Sequence, residues 1–362
     1  SSKGIAWASS HELISDKFDY DIAEMELQYV NNQLVFFIST LNPIVDISRS
    51  SIIISNKIPS LPHFGFKWNI DKKFKFHYIH GRLKSGVNDS TMIDVMGNKT
   101  NEIDRYFAFH QLQYRPNKFL EIRAGEIVVY GNRGIELGYS IPFIPFWSMQ
   151  HFLGDLDNIQ WNLISIIKPI KSLKLYNVFL MDEFRPGLVF EKNNRNWFAY
   201  QFGLVKNNIF WNSDKFQIEY SWTDHRIYRH RFPINDFYSY DYPLGFWAGP
   251  HAEELFISYK FTMMSTDFEI SLSNAKRGEL SEQMIIDQYA TIYYDRFNDV
   301  SEKKSIFKIQ VDRVIFENIN ASVGLKVIDW KNAGFDPYNN NINNLIDIKK
   351  SSINFILKYK FD

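Results

Sequence analysis

The residues best equipped for chemistry come in groups that mix charge with aromatic rings. Asp155, Asp157 and Asn158 stand in Gly154-Asp-Leu-Asp-Asn158, and Asp182 and Arg185 bound the run Asp182-Glu-Phe-Arg185. Asp224, Tyr228 and Arg229 belong to Asp224-His-Arg-Ile-Tyr-Arg-His-Arg231, and Tyr240, Trp247 and His251 follow within Tyr238–Glu254. Flat aromatic faces offer apolar area to the C–H face of a pyranose. Asp, Asn, Arg and His supply the directional hydrogen bonds that sugar hydroxyls require. The same residues also suit a plainer role. Buried charges need partners, and Arg185, Arg226, Arg229 and Arg231 are candidates to pair with Asp157, Asp182, Asp224 and Glu254 in a network that ties loops together. Both readings stand: polysaccharide-binding or loop-ordering. Other chemistry is poorly served. Two carboxylates at 155 and 157 fall short of a calcium ligand set. No glycine loop runs from a strand into a helix to cradle phosphate. No local sequence singles out a Ser–His pair with an orienting third group. No catalytic residue, metal or cofactor is therefore expected.

Strands must position these groups. Ile353, Phe355, Leu357, Tyr359 and Phe361 alternate with Asn354, Ile356, Lys358, Lys360 and Asp362. Successive side chains of a strand point to opposite faces, so Ser352–Asp362 has one oily and one mostly polar face. Its length suits a tilted bilayer crossing, which takes about 9–11 residues. The same alternation recurs up the chain, from a weak first strand at Lys3–Ser10, through Ala23–Tyr29 and Leu34–Ile38, to Phe307–Val311 and Val323–Val327. Asn, Asp, Pro and Ser mark most reversals. Short turns near Asn31, Asp71, Pro116, Pro169, Asn208, Met264 and Asn318 alternate with long connections such as Leu41–Pro62, Gly131–Asp155 and Asp224–His251. Short periplasmic turns and long extracellular loops are the sidedness of bacterial outer-membrane barrels. The chain thus reads as all-β: a transmembrane antiparallel up-and-down β-barrel of 16–18 strands, sixteen by direct count. It forms one domain over residues 1–362, with 41–62 as a plug or inward-folded segment. The candidate residues gather at the outer mouth, where strand parity turns Asn158, Asp182 and Glu254 inward.

Composition agrees. The chain has 362 residues, net charge 0, no Cys, 32 Phe, 20 Tyr and 9 Trp. No basic stripe invites nucleic acid, and the absence of Cys excludes a disulfide framework. No run of about 18 apolar residues forms a membrane helix. Export to an outer membrane needs a signal segment, and none opens at Ser1, so the sequence is read as starting at a processed or truncated end.

Five stretches carry a resemblance: Ser51–Trp68 (SIIISNKIPSLPHFGFKW), Gly125–Tyr139 (GEIVVYGNRGIELGY), Gly154–Asn158, Met181–Phe184 and Tyr242–Leu255 (YPLGFWAGPHAEEL). In this order, over roughly the first 255 residues, the chain resembles the Wzi-type capsule assembly family of outer-membrane proteins in its Bacteroidota-like form. The resemblance implies an 18-stranded barrel whose loops largely close it and which helps hold capsular polysaccharide on the cell surface. Its partners would be outer-membrane lipid, surface or capsular polysaccharide and other envelope proteins. The chain departs from the family where Asp46-Ile-Ser-Arg-Ser50 replaces a glycine-rich stretch and Phe246 replaces a His. An eighteen-stranded barrel would need one more hairpin, in Gly131–Asp155 or Met284–Asp295. The alternatives to polysaccharide binding are a channel for small solutes and a structural subunit of a larger envelope complex.

Overall fold

The computed structural model describes residues 24–93, 100–188, 191, 196–240, 242–280, 282–287, 294–298, 300–337 and 345–359. The strands are β1 (Glu26–Val30), β2 (Leu34–Ser39), β3 (His63–Asn69), β4 (Phe74–Leu83), β5 (Asn88–Ile93), β6 (Thr100–Glu102), β7 (Arg105–Tyr114), β8 (Leu120–Gly131), β9 (Asn158–Ile170) and β10 (Leu173–Met181). They continue as β11 (Phe198–Asn207), β12 (Lys215–Thr223), β13 (Tyr238–Ser239), β14 (Tyr242–Pro243), β15 (Ala252–Met263), β16 (Thr266–Arg277), β17 (Glu302–Phe316), β18 (Ile319–Ala333) and β19 (Ile346–Tyr359). Two short helices, α1 (Phe146–Phe152) and α2 (Glu282–Ile286), lie in long connections.

Fifteen strands form one sheet in the order β1-β2-β3-β4-β7-β8-β9-β10-β11-β12-β15-β16-β17-β18-β19, each beside its neighbour in the chain apart from two small hairpins, β5-β6 and β13-β14. All fifteen strands expected within the described residues are present. The sixteenth, at Lys3–Ser10, lies outside them. Among the described residues β1 and β19 are the two ends of the sheet order and do not pair with each other. The last strand starts earlier than its alternation suggested, at Ile346, because its first residues pair with Ile328–Ala333 of a fifteen-residue β18. The expected extra hairpin is not in Gly131–Asp155, which holds a 3-10 turn at Gly138–Ser140 and α1 instead. Pro142 and Pro145 lack the N–H that a sheet ladder needs there. In Met284–Asp295, α2 takes the first residues and 288–293 lie outside the described set.

Local chemistry explains the short turns. Asp71 Oδ1 accepts from the amides of Lys73 (2.6 Å) and Phe74 (2.7 Å), and Asn117 Oδ1 accepts from Phe119 (2.8 Å) and Leu120 (3.0 Å). These side chains stand in for a backbone acceptor and reverse the chain. Met264 and Ser265 are both left-handed, with φ of 50° and 55°. That geometry matches the right-handed twist of a hairpin.

The two faces of the strands differ in the opposite sense to a water-soluble protein. Phe64, Trp161, Leu163, Phe202, Ile270, Leu272, Phe307 and Val323 are exposed, while Asn158, Gln160, Asn162, Gln201, Glu219, Ser221 and Thr223 are buried. On β9, β11 and β12 apolar residues point out and polar residues in, as a strand facing lipid requires; on β7 and β8 the inward face also buries Phe107, Phe109, Ile127 and Val129.

The described residues pack as two compact units. One draws on Ser1–Ser165, Val178–Glu183 and Ile227–Gly249, the other on Ile166–Asn177, Phe184–Arg226 and Pro250–Asp362.

Candidate functional site

In the first unit, residues 45–61 form a buried segment. Ile52, Ile53, Ile54, Ile58 and Leu61 are buried, and so are Asp46, Ser50, Ser51, Ser55 and Ser60. Asp46 orders its start by accepting from Ser48 N (3.0 Å), Ser48 Oγ (2.7 Å) and Ser51 Oγ (2.6 Å). Burial pushes its carboxyl above the ordinary Asp range, against the pull of those hydrogen bonds. The segment meets the polar face of the sheet where Arg123 donates to the Val45 carbonyl at 3.4 Å.

Residues 227–249 lock onto this segment. Tyr228 is fully buried. Its Oη donates to the Ile52 carbonyl (2.6 Å) and accepts from the Phe246 amide (3.1 Å). Ser55 N donates to the Leu244 carbonyl at 2.6 Å. A Cβ on Gly245 would lie 2.5 Å from the Tyr228 ring, so only glycine lets the backbone come so close. Burial pushes the Tyr228 phenol far up, which keeps it a neutral hydroxyl. Tyr228 was a candidate to stack on sugar, but it presents no face to solvent; it is a pin between two loops. Tyr240 sits in the β13-β14 reversal with φ 54°, and its amide donates to Lys84 O at 3.1 Å. Trp247 is half-buried, and Lys57 Nζ lies 4.7 Å from its ring centroid.

The acidic candidates at 155–158 join the same loops. Asp157 is fully buried, and its Oδ2 accepts from Arg133 Nη2 (2.6 Å) and Tyr139 Oη (2.7 Å). Asn158 Nδ2 donates to Asn235 O (3.0 Å), and Asn235 Nδ2 returns a bond to Leu156 O (2.7 Å). The Asp155 side chain is half-exposed, and its carbonyl accepts from Arg231. Asp182 Oδ2 accepts from Gln160 Nε2 at 2.9 Å, and burial pushes its carboxyl well above the usual range. Arg229 pairs with Asp236 at 3.2 Å. Burial raises the Asp236 carboxyl to about 6 despite that arginine. Arg133, Asn235 and Asp236 were not foreseen.

The remaining candidates belong to the second unit. Arg226 grips Asp224 through Nε to Oδ1 (2.8 Å) and Nη2 to Oδ2 (3.0 Å). Burial opposes this, but the arginine's bonds hold the Asp224 carboxyl below the ordinary range. His251 Nδ1 donates to Glu279 O (2.6 Å), its Nε2 accepts from Phe297 N (3.2 Å), and its ring stacks on Phe297 at 4.9 Å. Burial lowers its pKa to about 4, so the ring is neutral at pH 7. Arg185 is exposed, and its backbone N–H and carbonyl are both bonded by the Asn196 amide (2.6 and 3.2 Å). Glu254 accepts from Ser273 Oγ at 2.6 Å.

Among the candidate arginines, Arg226 pairs with Asp224, one of the carboxylates open to such a partner. Arg229 took Asp236, Arg231 took a carbonyl, and Asp157 took Arg133. Asp155, Tyr228, Tyr240 and His251 all have positive φ, at 57°, 70°, 54° and 51°. Such backbones persist only where surroundings dictate them. Among the described residues no group of three or more His, Asp or Glu is placed to hold a metal ion.

No family model matches the sequence, and no curated protein does. Solved structures do match. One is Wzi, an outer-membrane protein involved in group 1 capsule assembly in Escherichia coli and described as a carbohydrate-binding β-barrel; identity is 11%, TM-score 0.61, and the match covers 95% of this chain and 71% of that one. Two Pseudomonas aeruginosa structures also align: OccK10 (OpdN) at 10% identity, TM-score 0.48, over 95% of this chain and 85% of that one, and the outer-membrane protein OprD at 11%, TM-score 0.46, over 90% and 75%. The last two are too loose to carry argument. With the exposed apolar strand face, the first shows the fold: this chain is built as an outer-membrane β-barrel.

Proposed function

We propose that this outer-membrane barrel binds surface or capsular polysaccharide through its long loops and helps attach it to the cell, without catalysis. The observation that carries the reading is the interlocking of residues 45–61, 155–158 and 227–249 by hydrogen bonds, which leaves an ordered surface for a glycan. Arg231, Phe232 and the Asp155 side chain remain exposed on it, with Trp247 half-buried. The Arg231 guanidinium lies 5.3 Å from the Phe232 ring centroid. An exposed ring beside a fixed guanidinium and a carboxylate suits the apolar face and hydroxyls of a sugar. The likeness to Wzi supports the same reading. Asp157, Asn158, Asp182, Tyr228 and Arg229 then order the loops rather than touch the polymer.

The test is the fate of the polymer in the native host. Deleting the gene at equal total synthesis should move polysaccharide from cells to medium. The chain should restore it, and a Phe232→Ala/Trp247→Ala variant should not. An unchanged distribution overturns the proposal. A large steady conductance in planar bilayers would favour a diffusion channel instead.

A further inference from the structure

Residues 135–153 lie against the outer wall of the first unit. Tyr78 of β4, His110 of β7 and Glu126 of β8 stand side by side on the apolar face, in one row of paired residues. Each is met by a backbone group of this segment. Tyr78 Oη donates to Tyr139 O (2.9 Å), His110 Nδ1 bonds Pro142 O (2.8 Å), and the Phe146 amide donates to Glu126 Oε2 (2.5 Å). His110 Nε2 also bonds Glu126 Oε2 at 3.0 Å, and the Phe146 ring stacks on His110 at 4.1 Å. Tyr139 and Phe146 are fully buried against Tyr78, Ala108, Val128 and Tyr130. The other side of the segment is open: Leu137 is 77% exposed, Phe143 62%, Trp147 49% and Phe152 83%. No Asp, Glu, Lys or Arg occurs between Glu136 and Asp155.

We infer that this segment is embedded in the outer half of the lipid bilayer, where its apolar side contacts acyl chains and its backbone seals a polar row on the barrel wall. Depth is the first argument. β7 has ten residues, the length of one crossing. His110 is its sixth, about 17 Å along the strand from the loop end at 3.3–3.4 Å per residue. The Phe146 ring above it therefore lies well down the wall. Continuity is the second argument. Phe143 packs on Trp68 (6.3 Å) and Phe76 (5.0 Å), and Trp147 on Trp161 (6.5 Å), all from the apolar strand face. The exposed rings extend the surface that faces lipid. Need is the third. An uncovered His–Glu pair in hydrocarbon is costly, and this segment covers it.

The chain has no native cysteine, so Phe143→Cys and Phe152→Cys each give a single labelling site, with Asn88→Cys in an exposed hairpin as reference. The full-length variants carry an environment-sensitive fluorophore and are reconstituted in phosphatidylcholine vesicles with or without doxyl-labelled phosphatidylcholine. Doxyl lipid should lower emission about two-fold or more at both test sites. It should leave Asn88→Cys unchanged, and iodide should quench only the reference. The proposal is overturned if iodide quenches the test sites and doxyl lipid does not. It is equally overturned if both quenchers fail until the protein is diluted in the membrane, which would identify a second copy as the cover.

Discussion

Replacing Tyr228 with Phe removes one oxygen and little volume, so it isolates the loop pin. The lost hydroxyl leaves the Ile52 carbonyl and the Phe246 amide facing each other across a dry contact, after bonds of 2.6 and 3.1 Å. Each stranded backbone group costs roughly 1–3 kcal/mol, so with two of them the latch should weaken by about 2–6 kcal/mol. Opening should become about 30- to 20,000-fold more frequent, at tenfold per 1.4 kcal/mol. Amide hydrogen exchange of the reconstituted protein reads this directly. The Phe246 amide should exchange faster because it has lost its acceptor. The Ser55 amide is the sharper probe, since its own bond to Leu244 O is not touched. If the two loops open together, Ser55 must accelerate as well. The turn amide of Asn31, bonded to Leu34 O, should not change. An increase at Ser55 below about threefold would refute the claim that Tyr228 couples the loops.

Other perturbations probe the same region. Gly245→Ala drives a methyl group into the Tyr228 ring and should reproduce the Tyr228→Phe exchange pattern, with a double variant less than additive. Asp157→Ala strips Arg133 and Tyr139 of their acceptor; with Arg133 partly solvated, the expected loss is about 2–3 kcal/mol, seen as faster protease cleavage within 132–157. Burial lowers the His230 pKa to about 4. The unfolded loop therefore binds the extra proton between about pH 4 and 6.5, and the His230 contribution rises with pH across that window. Burial raises Asp236 to about 6, so its contribution is present near pH 4 and lost as pH rises through 6. Asp46 and Asp182, also raised by burial, act in the same sense as Asp236. The protection of wild type relative to His230→Gln should thus grow from pH 4 to 6.5 and then level off; a flat difference would sink this assignment.

Strand alternation was legible throughout because it follows from a strand with one face in lipid and one face in a polar interior. Even β9, with Pro169 near its end, announced itself through Trp161 and Leu163 against Gln160 and Asn162. What bonds each loop residue makes was not legible. Arg133 reaches Asp157 across 24 residues, and Asn158 reaches Asn235 across 77; neither separation has a local signature. Tyr228 reads as a sugar-stacking aromatic because it stands among Arg and Asp, and nothing in its sequence neighbours marks it as buried. The run Ile141–Trp147 is visibly apolar in sequence, but it is short and broken by Pro142 and Pro145, which speaks against a membrane helix and says nothing of a place on the outer wall. Phe232 has the exposure that Tyr228 lacks, yet it sits beside Pro233 in a stretch with no periodicity.

The pin between Tyr228 and Ile52 joins residues 176 positions apart. Closing a floppy loop of that length costs about 4–5 kcal/mol beyond a constant, so the contact forms readily only after the intervening strands have paired. Assembly therefore has an order. Residues 45–61 are made early but have no Tyr228, Leu244 or Phe246 to hold them until β12 and the loop after it are in place. While the barrel is being inserted, its apolar isoleucines at 52–54 are without these partners. A chaperone or insertion machine that meets the nascent protein would find them accessible, and their disappearance would mark a barrel that has finished folding.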